Sequence, residues 1–320
     1  MNPDLPASGS GPGVFSPLSA AWEHMLRLLF RPFDPTRWLV VGFTAWLATL
    51  GRMGTSFGGR APGSGTQGKT SFDVEGLWSE ARDWIQENWA WLLPVALAAL
   101  VLGFALYLLM LWLSSRGEFQ FYHNVSTGRA EVAAPWRAYR NHGNSLFLFR
   151  LVLSLTGLLC ILPLIAAGGW SAVALFDGRA DRAMPVALFS LAILLLLVVS
   201  LVWAVISKLT RDFVVPVMAM RTLSCRAAWG VFGSLMASDP VNFLMYFLFQ
   251  ILLWVGVGIA LVAAVLLTCC IAACFLAIPY VGTVLLLPVF VFFRSYSLHF
   301  LAQYGPEWNS LSVPPPAGAA

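Results

Sequence analysis

Charge is scarce in this 320-residue sequence. Nineteen Lys and Arg and fifteen Asp and Glu make up 11% of it, roughly half the charged share of an ordinary soluble protein. Hydrophobic residues reach 59%, with 14 Trp and 23 Phe among them. One soluble core of this size has no room for so many large apolar side chains. Two soluble domains, the usual expectation at this length, are therefore a poor reading, as are intrinsic disorder and a disulfide scaffold.

Chemistry-bearing motifs are just as scarce. The four histidines, His24, His123, His142 and His299, form no His-x-x-x-His or His-x-x-Glu pair. Cys269, Cys270 and Cys274 share no single helical face and have no histidine or carboxylate nearby in sequence, so with Cys160 they read as small packing residues. No Gly-x-Ser-x-Gly elbow, phosphate-binding loop or dinucleotide fingerprint occurs. The apolar stretches hold no carboxylate pair of the kind proton-coupled transporters use. The expectation is a protein without catalytic residues, metal or cofactor. Nucleic acid is not an expected partner, since no basic run exceeds two residues.

Long hydrophobic runs are what the chain does have. A membrane-spanning helix needs about 20 mostly apolar residues. Residues 89–113, 147–173 and 185–207 meet that requirement. Residues 241–293 contain no Asp, Glu, Lys or Arg, too long a stretch for one span and suited to two, at 241–267 and 275–298. A sixth span, 36–55, rests on only fourteen apolar residues from Trp38 to Gly51, short enough to be re-entrant unless Arg52 snorkels from a longer helix. The expected fold is all-α: a polytopic bundle of six transmembrane helices forming one domain over residues 16–305. An outer loop at 52–88 and disordered tails at 1–15 and 306–320 complete it. Twelve Lys and Arg fall on the side of the N-terminus and six opposite, Arg150 aside, which puts both termini in the cytoplasm.

Three short amphipathic segments precede the odd-numbered spans, each carrying a tryptophan in a similar setting: Ala20-Ala21-Trp22, Ala134-Pro135-Trp136 and Ala227-Ala228-Trp229. They read as cytoplasmic interfacial helices anchored by Trp22, Trp136 and Trp229. The first would bury a face of Leu18, Trp22, Met25 and Leu29, and the second would run on through Leu146 and Phe147. The first and third end in Asp34-Pro35 and Asp239-Pro240, an N-cap followed by a residue suited to the first helical turn. The linkers after the even spans also rhyme, Arg116-Gly117-Glu118-Phe119 with Arg211-Asp212-Phe213, and Arg294 stands in a degenerate third copy. A threefold helix-hairpin repeat explains these features; the alternative is convergence, because Trp and Arg collect at any membrane interface. In the outer loop, Val74, Leu77, Trp78, Ala81, Trp84, Ile85 and Asn88 make one helical stripe, suited to lying on the outer leaflet or to covering an entrance.

Arg150 is the most informative ionisable residue, because it stands among Phe147, Leu148, Phe149 and Leu151. It must snorkel to the headgroups or pair with Asp212 or Glu118. Pairing would build a cytoplasmic-side cluster with Arg116, Arg211 and Arg294, able to hold a phosphate or carboxylate bidentately. Pro163, Pro279, Gly282 and Pro288 mark kinks, and Gly256, Ala260 and Ala264 form a stripe that another helix could approach closely.

The segments Arg31-Pro32-Phe33-Asp34, Arg116-Gly117-Glu118-Phe119, Arg211-Asp212-Phe213-Val214-Val215-Pro216 and Phe300-Leu301-Ala302-Gln303-Tyr304-Gly305 resemble a family of uncharacterised bacterial multi-pass membrane proteins. That family is distantly similar to the membrane domain attached to some glycerophosphodiester phosphodiesterases. The resemblance runs over roughly residues 15–305 and implies a fold rather than an activity. The phosphodiesterase His-Arg-Gly and Glu-x-Asp motifs have no counterpart here. The expected function is a non-enzymatic protein of the bacterial inner membrane. Its basic, aromatic cytoplasmic rim would engage anionic lipid headgroups or a membrane protein partner; a transporter or permease for a lipid or small amphiphile is the alternative.

Overall fold

In the computed structural model, which describes residues 12–56, 82–176, 183–268 and 271–312, the chain opens on an amphipathic helix, α1 (Ser16–Leu29). Its buried stripe is Ala21, Met25, Leu28 and Leu29. Trp22 lies at the margin of that stripe, 55% exposed, edge-on to Phe292 at 6.1 Å. The stripe is thus rotated from the face expected around Trp22, because the small Ala21 permits closer packing than an indole.

Helix α2 (Pro35–Ser56) starts where Asp34-Pro35 predicts, the Asp34 carboxylate accepting the Thr36 N–H at 2.9 Å. Helix α3 (Trp89–Thr127) is about 58 Å long at 1.5 Å per residue. Its first half is apolar and exposed, whereas Ser114 to Val125 are buried throughout. The second interfacial segment is shorter than expected. Only α4 (Ala133–Ala138) is separate, and α5 (Arg140–Phe176) takes in Leu146 and Phe147. This linker has no Asp-Pro pair to hold a boundary further along, and the chain is already helical again one residue after α4.

Next come α6 (Ala183–Leu209), a π-helical turn (Thr210–Val214), α7 (Val215–Arg221) and α8 (Cys225–Ser238). Helix α9 (Pro240–Leu267) begins at the second Asp-Pro. Hydrogen bonds from Asn242 and from Tyr304 hold the Asp239 carboxyl below its usual range.

The last hydrophobic stretch, expected to span at 275–298, is not one continuous helix. It divides into α10 (Ile271–Ala277), α11 (Pro279–Leu285) and α12 (Leu287–Ala302), with 61° between the last two. Pro279 and Pro288 supply no N–H to a continuous helix. A Cβ on Gly282 would lie 2.5 Å from the Leu276 carbonyl oxygen, so only glycine permits α10 to fold back this closely.

Among the described residues every regular element is helical and no strand occurs. Four helices, α3, α5, α6 with its continuation, and α9, are long and apolar enough to cross a membrane, or five spans if bent α11–α12 counts as one. This makes the chain a membrane protein. Helix α2 is not among the four; it lies along α3, brought close by Gly117, where a Cβ would sit 2.7 Å from the Ala48 backbone nitrogen. Of the outer-loop stripe, Val74, Leu77, Trp78 and Ala81 lie outside the described residues, as do Cys269 and Cys270.

Burial is concentrated at one end of the bundle. Phe119, Phe213, Tyr296 and Phe300 are fully buried there, and Phe213 stacks on Phe232 at 5.1 Å. The far halves of the spans show leucine and valine outward, as a hydrocarbon surround requires. Neighbouring units interlock: α4 packs on α3, α8 on the π turn, and α1 on α12. The described structure reaches into both segments expected as tails, 1–15 and 306–320. Gly13 and Gln303 exchange two hydrogen bonds, of 2.7 and 3.0 Å. Beyond α12, Trp308 is buried and lies under the Arg221 guanidinium, 4.5 Å from ring centre to carbon.

His24 ties α1 to α3, its Nε2–H donating to the Val125 carbonyl at 2.8 Å, with the His299 ring 5.8 Å away. Burial, and secondarily Arg27, holds its pKa below 6.5 against the opposing effect of that hydrogen bond. The docked form therefore binds fewer protons than the undocked form, and stability falls with pH from 6.5 downward. Amide exchange of α1, corrected for intrinsic rate, should quicken between about pH 7 and pH 5. His24→Asn, which keeps a donor for Val125, should flatten that response; undiminished acid sensitivity in the variant would contradict the assignment.

Candidate functional site

Six charged side chains converge where α3, α5, α6 and α12 meet. Glu118 of α3 has only 3% of its side chain exposed, and its Oε1 receives Arg150 Nη2 at 3.2 Å. Arg150 Nη1 also donates to Ser114 Oγ at 3.3 Å, so this arginine pairs inward rather than snorkelling. Arg211 Nε stands 4.0 Å from the same Glu118 oxygen. Asp212 answers to other groups: Lys208 Nζ at 2.9 Å and the Tyr246 hydroxyl at 3.3 Å.

Arg211 and Asp212 diverge because successive helical residues face different ways. Both lie on the π turn at Thr210–Val214, and such turns inside helices recur at functional sites. The π turn also receives α12, since Arg294 Nη1 donates to the Arg211 carbonyl. Arg294 is 5% exposed with Tyr122 beneath its guanidinium at 5.5 Å. Its Nε and Nη2 are buried and have no partner.

These groups line a cleft of about 530 Å³ of empty space, its mouth included. Its polar wall holds Glu118, Lys208, Arg211, Asp212, Gln250 and Arg294. Its apolar wall includes Ala45, Ala48, Phe121, Phe290 and the stacked pair Trp254 and Phe293, whose rings lie 4.5 Å apart. With Arg150 behind Glu118, four cations face two carboxylates, a surplus of two positive charges. Among the described residues no group of three His, Cys, Asp or Glu could hold a metal ion. What the arrangement offers is recognition of an anion attached to an apolar body.

Five of the six sequence-predicted contact residues, Glu118, Arg150, Arg211, Asp212 and Arg294, come together here. Arg116 does not. It is clamped between Trp112 and Trp136, 4.4 and 4.9 Å from the ring centres, and bonds Asn144 at 3.3 Å. Trp136 therefore closes over an arginine, and Trp229 packs against Phe149 and Phe232; of the three tryptophans Trp22 is the exposed one. Sequence reasoning missed Lys208, Tyr246 and Gln250. Gln250 did carry a signal, as an amide in the middle of a charge-free span, where polar side chains are costly.

A family model laid along most of the chain decides its membership. The chain belongs to the Family of unknown function (DUF7544), whose model matches residues 14–290. The matched stretch carries Glu118, Arg150, Arg211 and Asp212 and stops just short of Arg294. Nothing among the curated proteins or the solved structures matches the chain. The likeness to phosphodiesterase membrane domains accordingly rests on short motifs alone.

Removing Glu118 leaves the half-buried Arg150 and Arg211 without their shared counter-charge. Glu118→Gln should cost about 3–5 kcal/mol of stability, as for one partner lost from a buried pair. Arg150→Gln should cost less, because Arg211 remains beside the carboxylate and the Arg150 side chain is 18% exposed. Unfolding midpoints in detergent order the two variants, and an equal or smaller loss for Glu118→Gln contradicts the shared-counterion arrangement.

Proposed function

We propose that this is a multi-pass protein of the bacterial inner membrane, both termini cytoplasmic, that binds the anionic head of a membrane amphiphile in the cleft at the buried end of its bundle. The observation that carries the reading is Arg294: a buried guanidinium lining the cleft, with Nη1 committed and Nε and Nη2 unpartnered. Buried charged donors are ordinarily filled, and the surplus of positive charge selects an anion to fill these. The apolar wall suits the remainder of an amphiphile. No nucleophile, base and orienting group are assigned to catalysis in this reading, and the protein acts by binding rather than as an enzyme.

The distribution of Lys and Arg supports the orientation, and exposed Phe15, Trp22 and Phe33 suit an interfacial aromatic belt. On this reading α2 and bent α11–α12 are the first and sixth spans. The three hairpins then form a pseudo-threefold ring in which each interfacial helix rests on the last helix of the unit before it. The motif likeness to phosphodiesterase membrane domains fits the same picture, a membrane module without a catalytic half. Transport is the second reading, favoured by the break at Leu286 between α11 and α12, since α12 carries Phe290, Phe293 and Arg294 into the cleft and broken helices line sites in many transporters. A membrane protein partner on the same basic rim is compatible with either.

Native mass spectrometry after gentle extraction tests the proposal. Arg294→Gln should lose bound anionic lipid by on the order of tenfold or more, the usual scale for removing a buried charged contact. Arg27→Gln, which removes an exposed pair with Glu23, should retain it. Equal retention by both variants overturns the proposal.

A further inference from the structure

The hydrogen-bond directions around the cleft carry more than its charge. Arg294 spends Nη1 on the Arg211 carbonyl. The two nitrogens left unpartnered, Nε and Nη2, share the side edge of the guanidinium plane, so their hydrogens form one fork. That edge matches two oxygens of a single phosphate or carboxylate. The anion site is thus an oriented bidentate receptor, held in place at its other end.

A second unfilled group lines the same cleft. Gln250 is 1% exposed, and its Oε1 is buried without a partner. The orientation of that amide follows from its neighbours. Tyr246 has one hydroxyl hydrogen, and the Asp212 carboxylate can only accept it. The Tyr246 oxygen must then accept from Gln250, whose Nε2 donates at 2.8 Å. The relay from Gln250 through Tyr246 to Asp212 leaves the carbonyl oxygen of Gln250, a residue that lines the cleft, as an unfilled acceptor. A buried acceptor left empty is costly, so the fitting ligand brings a donor to it.

Resting on the anion-binding reading above, we infer that the cleft discriminates among anionic headgroups, selecting a phosphate that carries a neighbouring hydroxyl. The phosphate takes the Arg294 side edge and the hydroxyl donates to Gln250 Oε1. An ammonium donor suits the site poorly, because Lys208, Arg211 and Arg294 line the same wall. The same chemistry occurs on a hydroxylated phospholipid and on its free, deacylated head. The apolar wall of Phe121, Trp254, Phe290 and Phe293 favours the lipid.

The test uses the full chain in phosphatidylcholine nanodiscs doped with either phosphatidylglycerol or phosphatidylethanol. Both are singly charged diesters; only the first has free hydroxyls. Wild-type protein should retain phosphatidylglycerol about tenfold better, the scale of one filled polar contact. Gln250→Leu should abolish the preference. Tyr246→Phe should do likewise while still binding both lipids, because the amide is no longer held in one orientation. Arg294→Gln should weaken both lipids together. Equal retention of the two lipids by wild-type protein overturns the hydroxyl inference and leaves the anion reading standing. Retention of neither above the phosphatidylcholine background overturns both. Glycerophosphoglycerol, the deacylated head, is added as competitor: failure to displace the lipid assigns the ligand to the bilayer, and displacement at equal concentration overturns that assignment in favour of a soluble phosphate.

Discussion

Buried charge is the constraint on which the rest of the structure depends. An ionised side chain taken from water into a weakly polar interior loses several kcal/mol unless partners replace its solvent. Glu118, Arg150, Arg211, Asp212 and Arg294 come from four different helices, and among the described residues Glu118 and Asp212 are the only carboxylates lining the cleft. The helices must therefore converge at one depth to satisfy each other. Glu118 links α3 to α5 and α6; Asp212 links α6 to α9 through Tyr246. Arg294 ties α12 to the π turn by a backbone carbonyl. Apolar packing alone would leave the helices free to slide, since lipid tails are as apolar as leucine.

The same constraint accounts for the unequal burial along the spans. Around the charges the core is dense and aromatic, with Tyr246 4.6 Å from Phe300 and stacked on Tyr296 at 5.4 Å. Just beyond the charges the second hairpin keeps a specific tie. Trp203 Nε1 donates to the Leu153 carbonyl at 2.7 Å, and Gly157 makes room for the indole. Toward the far end the surface is mostly leucine, isoleucine and valine turned outward, with Trp89, Trp91, Phe104 and Trp170 among them. A protein built this way is held at its polar end and dissolved in lipid at its apolar end.

Much of the helical plan was legible, because a run of twenty uncharged residues permits little else. The inward pairing of Arg150 was also legible as one of two outcomes, since a charge flanked by Phe149 and Leu151 needs either headgroups or a carboxylate. Which carboxylate it takes was not, because only the packing of α3 against α5 brings Glu118 beside it, while Asp212 pairs four residues back with Lys208. Arg116 looked equivalent to Arg211 by motif; the closure of Trp112 and Trp136 over it depends on α4 folding back, a long-range event. The division of residues 271–302 was visible as two prolines and a glycine, but whether neighbours would straighten or bend such a stretch is decided by Leu276 against Gly282. The pairing of Gly13 with Gln303 joins the two ends of the chain, and no local pattern could announce it.

The account turns on whether the side edge of Arg294 is occupied in a membrane. A high-resolution electron cryomicroscopy map of the protein in discs of its own lipids tests this most directly. The account predicts a compact headgroup density within bidentate reach of Nε and Nη2, with an acyl chain continuing past Trp254 and Phe293. An Arg294 turned to salt-bridge Glu118 or Asp212 in an otherwise empty cleft would contradict it.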